Sequence, residues 1–407
     1  MPNIKTEMKT KNRYRCVYFS DGLWTCWLWM VLLLAASFPL RADRVYADQH
    51  IYTAAAFGPD GRLWRLVPSE KSIKIDYSTD YGKTFSPPVR VNPVDKPIHS
   101  WEENPPAISV DKGGRVYVLY FADDLQRSTS FFSQSENGLH FSEPVKISSK
   151  ADSSYHYQTE MLVGTTGNVH FMWHDARDRA EYKQQGGGDL SIYHVSAKAR
   201  KEMAFPSDHR IAKNICSCCR TAMAEDIDGN VVILARFVYP GNIRDHGMFR
   251  LSAEGLPSEP WRVTFDDWEI EGCPTHGPAL SISSDGRYHM TWFSQGNKYF
   301  GLFYAWSDDQ GKTFSEPRKI GDHDKLPGYP DVLALGKEVA LVWKVFDGTK
   351  TQITVMRSSD RGMHWSAAKV IAESEQNSAH PALITDGKQI FLSWNSIDKG
   401  FQLITAD

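Results

Sequence analysis

Ser307-Asp308-Asp309-Gln310-Gly311-Lys312-Thr313-Phe314 is one of three kindred octets in this chain. The others are Ser78-Thr79-Asp80-Tyr81-Gly82-Lys83-Thr84-Phe85 and Ser358-Ser359-Asp360-Arg361-Gly362-Met363-His364-Trp365. All fit Ser-x-Asp-x-Gly-x-x-aromatic, a pattern that describes a turn. The Ser and Asp side chains bond neighbouring backbone amides, Gly takes a positive φ, and the aromatic folds back onto the sheet. Gln134 to Phe141 and Ser252 to Trp261 read as eroded copies.

Around the octets runs a longer repeat: an apolar strand, a turn holding Gly, and a second strand ending in aromatic or apolar residues. Pro106-Ala-Ile-Ser-Val, Gly114 and Val116-Tyr-Val-Leu-Tyr make one copy; Pro278-Ala-Leu-Ser-Ile, Gly286 and Tyr288-His-Met-Thr-Trp make another. The turn glycines at 61, 114, 167, 229, 286, 336 and 387 mark seven copies, and Asp-Gly or Gly-Asn at most of them is hairpin chemistry. Spacing of this length holds four short strands, with the octets between the third and fourth. Radial repetition of such units hides sheet edges without a helical layer. The expectation is an all-β fold, a propeller of seven four-stranded blades. Six blades plus an extra hairpin is the alternative, because the last unit lacks a fourth strand unless Asp43 to Ala47 supplies it.

On these octets the chain resembles the sialidase-like, or Asp-box (BNR repeat), β-propellers across residues 48–407. The resemblance implies that the octets sit on the rim away from any active site and are structural. It also implies what a sialidase would need: three arginines on the substrate carboxylate, the first in a Tyr/Phe-Arg-Ile-Pro motif, with an Asp acid and a Tyr/Glu nucleophilic pair. At the matching position this chain reads Gln49-His50-Ile51-Tyr52, without arginine. A carboxylate clamp depends on bidentate guanidinium geometry, so the departure argues against sialidase chemistry.

Residues 1–47 read as a leader. Lys5, Lys9, Lys11, Arg13 and Arg15 precede an uncharged apolar run from Leu23 to Leu40, the layout of a signal peptide or signal-anchor helix. Val45-Tyr46-Ala47 offers small residues for cleavage; if the run is retained it is long enough to span a bilayer. The expected location is the periplasm or cell envelope, with the membrane engaged only through this segment. A net charge of −3 provides no basic face for nucleic acid. The aromatic share of 12% suits pleated, half-buried strands.

The segments leading into the inner strands converge on one mouth of the central channel, the default binding site of such a ring. They contribute Trp101-Glu102-Glu103, His156, Cys216-Ser217-Cys218-Cys219-Arg220, Cys273 with His276, Tyr329 and His380. Facing loops add Asp175, Arg177, Arg244, Asp245 and His246. Candidate ligand-binding residues are therefore Arg177, Arg220, Arg244, Asp245, His156 and His380. For an enzyme, here a glycoside hydrolase, the candidate carboxylates are Glu103, Glu160 and Asp175. Of the neighbours Glu102 and Glu103, only one faces the channel, because successive strand residues point opposite ways.

Cysteine is the anomaly. Beyond the leader, the chain holds only Cys216, Cys218, Cys219 and Cys273, all at the mouths of two consecutive units. Two disulfides are one reading in an oxidising compartment. A thiolate site for Cu(I) or Zn(II), joined by His276 and by His246, His156 or His380, is a second. A redox-active dithiol is a third. The function expected is a ligand-binding propeller, its ligand a small molecule, glycan or protein, with a metal ion in the same cluster. The rivals are a glycan hydrolase and a protein-binding scaffold.

Overall fold

The computed structural model describes residues 49–123, 129–149, 156–183, 190–200, 203–272 and 274–407. The leader, with Cys16, Cys26 and the ring-closing strand expected at Asp43–Ala47, lies outside the described residues, as does Cys273. Among the described residues no helix is long and apolar enough to cross a membrane.

Seven antiparallel meanders follow one another along the chain. Blade 1 comprises Ala54–Phe57, Leu63–Pro68, Ile73–Ser78 and Val89–Arg90. The inner strands of blades 2 to 7 are Ala107–Val110, His156–Val163, Ala222–Glu225, Ala279–Ile282, Gly328–Leu335 and Ala382–Thr385. Each packs beside the next, and Ala382–Thr385 returns to Ala54–Phe57, closing a ring of seven. Six blades have four strands; the seventh has three among the described residues, Ala382–Thr385, Ile390–Ser396 and Gly400–Thr405. The seven-blade expectation holds over the six-blade alternative.

The core lies in the joints between blades. A second strand is buried on both faces, so its alternate residues serve different neighbours. In blade 2, Val116, Val118 and Tyr120 pack with Leu66 and Ile75 of blade 1, whereas Tyr117 and Leu119 pack with Val169 and Phe171 of blade 3. In blade 4, Val231 and Ile233 face blade 3, and Val232 and Leu234 face blade 5. Trp173, Trp292 and Trp394, among the largest buried side chains, place their indole N–H groups on Asp175, Asp266 and the Ala379 carbonyl, each at 2.9 Å. That arrangement leaves no buried donor unmet at these positions.

The octet turns form as read. Ser307 Oγ donates to Asp309 Oδ1 at 2.7 Å and accepts from the Gly311 amide at 2.8 Å, and Asp309 Oδ1 accepts from the Thr313 amide at 2.9 Å. Ser78 and Ser358 head the same network. Two details differ from the sequence reading. The left-handed stretch is two residues long, taking in Tyr81 (φ 58°), Gln310 (62°) and Arg361 (65°) before each glycine. Moreover, the turn docks on the preceding blade rather than only its own. Tyr81 donates to Asp386, Gln310 to Asp228, and Arg361 pairs with Asp285, in each case at the first hairpin turn of the blade before. The closing joint is built the same way: Phe57 and Tyr81 of blade 1 hold Phe391 of blade 7 at ring-centroid distances of 5.5 and 5.7 Å.

By meander topology the octets and first hairpin turns share one face of the ring. The segments leading into the inner strands, and the loops between second and third strands, share the other.

Candidate functional site

On that second face, Glu103 of blade 2 accepts from His380 Nε2 of blade 7 at 3.2 Å and ion-pairs with Arg220 Nε of blade 4 at 3.9 Å. Arg220 Nε is buried and finds no hydrogen-bond partner among the described residues. Aromatic rings complete the mouth. His276 of blade 5 lies between Phe293 (4.2 Å, 25° between planes) and Tyr329 of blade 6 (4.6 Å, 11°), and the other face of Tyr329 stacks on His380 (3.7 Å, 16°). Glycines make this closeness possible. A Cβ on Gly277 would sit 2.2 Å from Arg220 Cγ, and one on Gly328 would sit 2.9 Å from His276 Nε2. The backbone turns into the inner strands through left-handed Gln158, Thr275 and Tyr329, with φ of 53°, 52° and 53°. Non-glycine residues hold such conformations only where their surroundings impose them.

Glu160 and Asp331 occupy the same register, the second residue of the Thr159 and Pro330 strands, where other blades carry alanine (Ala107, Ala222, Ala279, Ala382). Asp331 is tied to two blades, accepting from the amides of Val332 at 2.9 Å and Leu383 at 2.7 Å. Burial pushes the Glu160 carboxyl up to about 7; Arg220 opposes the rise and Asp331 adds to it. Burial likewise raises Glu103 against Arg220 and His276, and lowers His276 and His380. Near neutral pH the mouth therefore holds neutral imidazoles, a carboxyl poised at its titration point and one guanidinium.

Immediately before Arg220 the thiols converge. Cys216 Sγ lies 3.8 Å from Cys218 Sγ and 3.7 Å from Cys219 Sγ, and all three sulfurs fall within 4.8 Å of one another. No pair is bonded as a disulfide. Cys216 and Cys219 are buried and Cys218 is half-buried. Arg244 Nη1 donates to Cys216 Sγ at 3.4 Å, and the Cys216 amide donates to the Arg236 carbonyl at 2.9 Å. Buried His174 lies beside the Ser217 backbone, which favours its charged form while burial lowers it to about 4. Hydrogen bonds from the other two thiols, reinforced by Arg236 and Arg244, hold the Cys216 thiol far below its usual range, while Cys218 and Cys219 are driven up.

The structure thus brings Glu103, Arg220, His276 and His380 to one mouth, with Glu160 in electrostatic contact, and sets the thiols and Arg244 beside it. His276 stands in the ring stack rather than among the sulfurs of Cys216, Cys218 and Cys219, which form a group by themselves among the described residues. Other candidates are spoken for. Asp175 accepts from Trp173, from the Arg177 amide and from the Arg177 guanidinium at 2.6 Å, with His156 Nε2 at 3.1 Å. Arg177 also reaches Asp208 at 2.8 Å. Asp245 is held by Arg262 and by the Asp267 amide. Buried His246 packs against Thr264. Each of these sets of contacts lies within a single blade. His174 belongs to a facing loop already read from the sequence; Asp331 was not singled out, and its shared register with Glu160 was the available signal.

No family model matches the sequence, and no curated protein does. Solved structures do resemble it. The BP39L lectin of Burkholderia pseudomallei superposes with a TM-score of 0.61 at 10% identity, over 88% of this chain and 99% of that one. A PL25 ulvan lyase bound to -[GlcA(1-4)Rha3S]- gives 0.56 at 11%, over 88% and 92%. The Hadza microbial sialidase Hz136 gives 0.51 at 13%, over 85% and 74%. At such identities the likeness is one of fold, a propeller shared by lectins, lyases and sialidases.

Proposed function

We propose that the channel mouth binds an acidic saccharide, with Arg220 as its anion partner and the His276–Tyr329–His380 stack as its apolar platform. The observation that carries this reading is Arg220: a guanidinium with a buried, unpartnered Nε, a long ion pair, and access to a mouth built by five blades. A desolvated guanidinium in that state gains most from a carboxylate or sulfate that completes its hydrogen bonds. Stacked rings suit the apolar face of a sugar. The propeller neighbours act on or bind glycans, which agrees with the proposal. Export, with residues 1–47 as the signal or anchor, belongs to the same reading and would place the mouth where extracellular glycans are met.

Calorimetric titration with uronate-bearing and neutral oligosaccharides tests it. Acidic oligomers are expected to bind and neutral ones to bind at least tenfold more weakly. Arg220→Met should cost the acidic ligand one to two orders of magnitude, about 1.4–3 kcal/mol. Equal affinity of Arg220→Met and the parent for acidic oligomers would refute the proposal.

Glu160 favours a second reading, in which the bound glycan is also cleaved. A carboxyl titrating at about 7 serves as a general acid near neutral pH. Its protonated form is present below that value and lost above it, so cleavage should fall as pH rises through 7. Release of reducing ends that survives in Glu160→Gln would exclude Glu160 from that role.

A further inference from the structure

We propose that Cys216, Cys218 and Cys219 form a binding site for one thiophilic closed-shell cation, Zn(II) or Cu(I), beside the saccharide site and independent of it. The sulfur spacing is the first ground. A metal–sulfur bond of about 2.3 Å in tetrahedral geometry sets sulfurs about 3.8 Å apart. Cys216 Sγ stands at 3.8 and 3.7 Å from its two neighbours. A disulfide needs about 2.05 Å, and a pairing within the trio would leave one of its three thiols without a partner inside the trio. Bonding the adjacent Cys218 and Cys219 would close a strained ring.

The surroundings are the second ground. The site is built into packed structure: the Cys216 amide is fixed to the Arg236 carbonyl at 2.9 Å, and buried His174 lies beside the Ser217 backbone between the first two cysteines. Val238 packs against the group, and the half-buried Cys218 leaves a path for an ion to enter. Three thiolates around a dication carry one net negative charge, and around a monovalent ion two. Arg244, donating to Cys216 Sγ at 3.4 Å, supplies the compensating cation and the N–H···S contact that tunes thiolate ligands. Sulfur donors without carboxylates select soft ions over Mg(II) or Ca(II). Three sulfurs complete a trigonal Cu(I) site; Zn(II) would take a further donor in its fourth position.

The test uses the full chain purified under anaerobic, reducing conditions. Elemental analysis should find close to one equivalent of Zn or Cu, and addition of Cd(II) or Cu(I) to metal-stripped protein should produce a sulfur-to-metal charge-transfer band that saturates at one equivalent. Competition with a zinc chelator and with a Cu(I) chelator identifies the favoured ion. Cys218→Ser, at the half-buried position, should weaken binding at least a hundredfold while the circular dichroism spectrum is unchanged, and Arg244→Met about tenfold. Arg220→Met should leave metal affinity intact, so failure of the saccharide proposal is read separately. Absence of metal with no titratable thiols, or a charge-transfer band unaltered in Cys216→Ser and Cys218→Ser, would overturn the site.

Discussion

Glu160 shows how much a single register position decides. Burial raises its carboxyl from an ordinary 4.5 to about 7, so the folded chain holds a proton that the unfolded chain has released between those values. The Glu160 contribution to stability is then fullest below pH 4.5 and is lost as pH rises through about 7. Glu160→Gln removes the titrating group. Its melting temperature should exceed that of the parent at pH 8 and converge with it at pH 4; curves that stay parallel across the range would contradict the assignment. The carboxylates also mark where sequence reasoning stops. Strand position shows that Glu103, Glu160 and Asp175 approach the same face. It does not show that Trp173 and Arg177, each two residues away, turn their side chains onto Asp175, or that Glu160 makes no such bonds among the described residues, because strand position does not fix side-chain direction where a strand runs into a loop. The cysteines behave alike: their convergence was legible, whereas the separation of His276 from them was not, since Tyr329 and Phe293 claim its ring.

At the scale of elements, the turns were the most legible part because their networks are local, running from Ser to the amides that follow. What the octet does for its neighbour was hidden, because the docking partner lies on another blade. Glycine substitutions separate the two contributions. Gly387 and Gly362 have similar backbones, with φ of 84° and 83°, but a Cβ at Gly387 meets nothing within 4 Å, whereas one at Gly362 lies 1.9 Å from the Tyr304 hydroxyl. Gly387→Ala should therefore cost about 1 kcal/mol from backbone strain alone. Gly362→Ala adds the clash and should cost about 2–4 kcal/mol. Chemical denaturation of both variants measures the difference, and equal losses would mean that the octet does not brace the preceding blade.

For the whole molecule, seven joints in series make a ring in which each blade depends on two others. Composition and repeats foretold the blades and their number. The location of the hydrophobic core in the joints comes from second strands buried on both faces, as the alternation of Val116 to Tyr120 shows. Six joints connect consecutive segments; the seventh joins ends of the chain far apart in sequence. Tyr81 reaches Asp386 across 305 positions, and His50 accepts from Asn395 across 345. Contacts of such separation form late in folding, since the intervening chain must be ordered before they gain anything. Truncating Phe391 to Ala should accordingly leave the refolding rate nearly unchanged and accelerate unfolding, the signature of an interaction absent from the transition state. The same deletion at Phe171, in the joint between blades 2 and 3, should slow refolding as well. The order in which this propeller comes apart is thus written into which of its joints the backbone crosses.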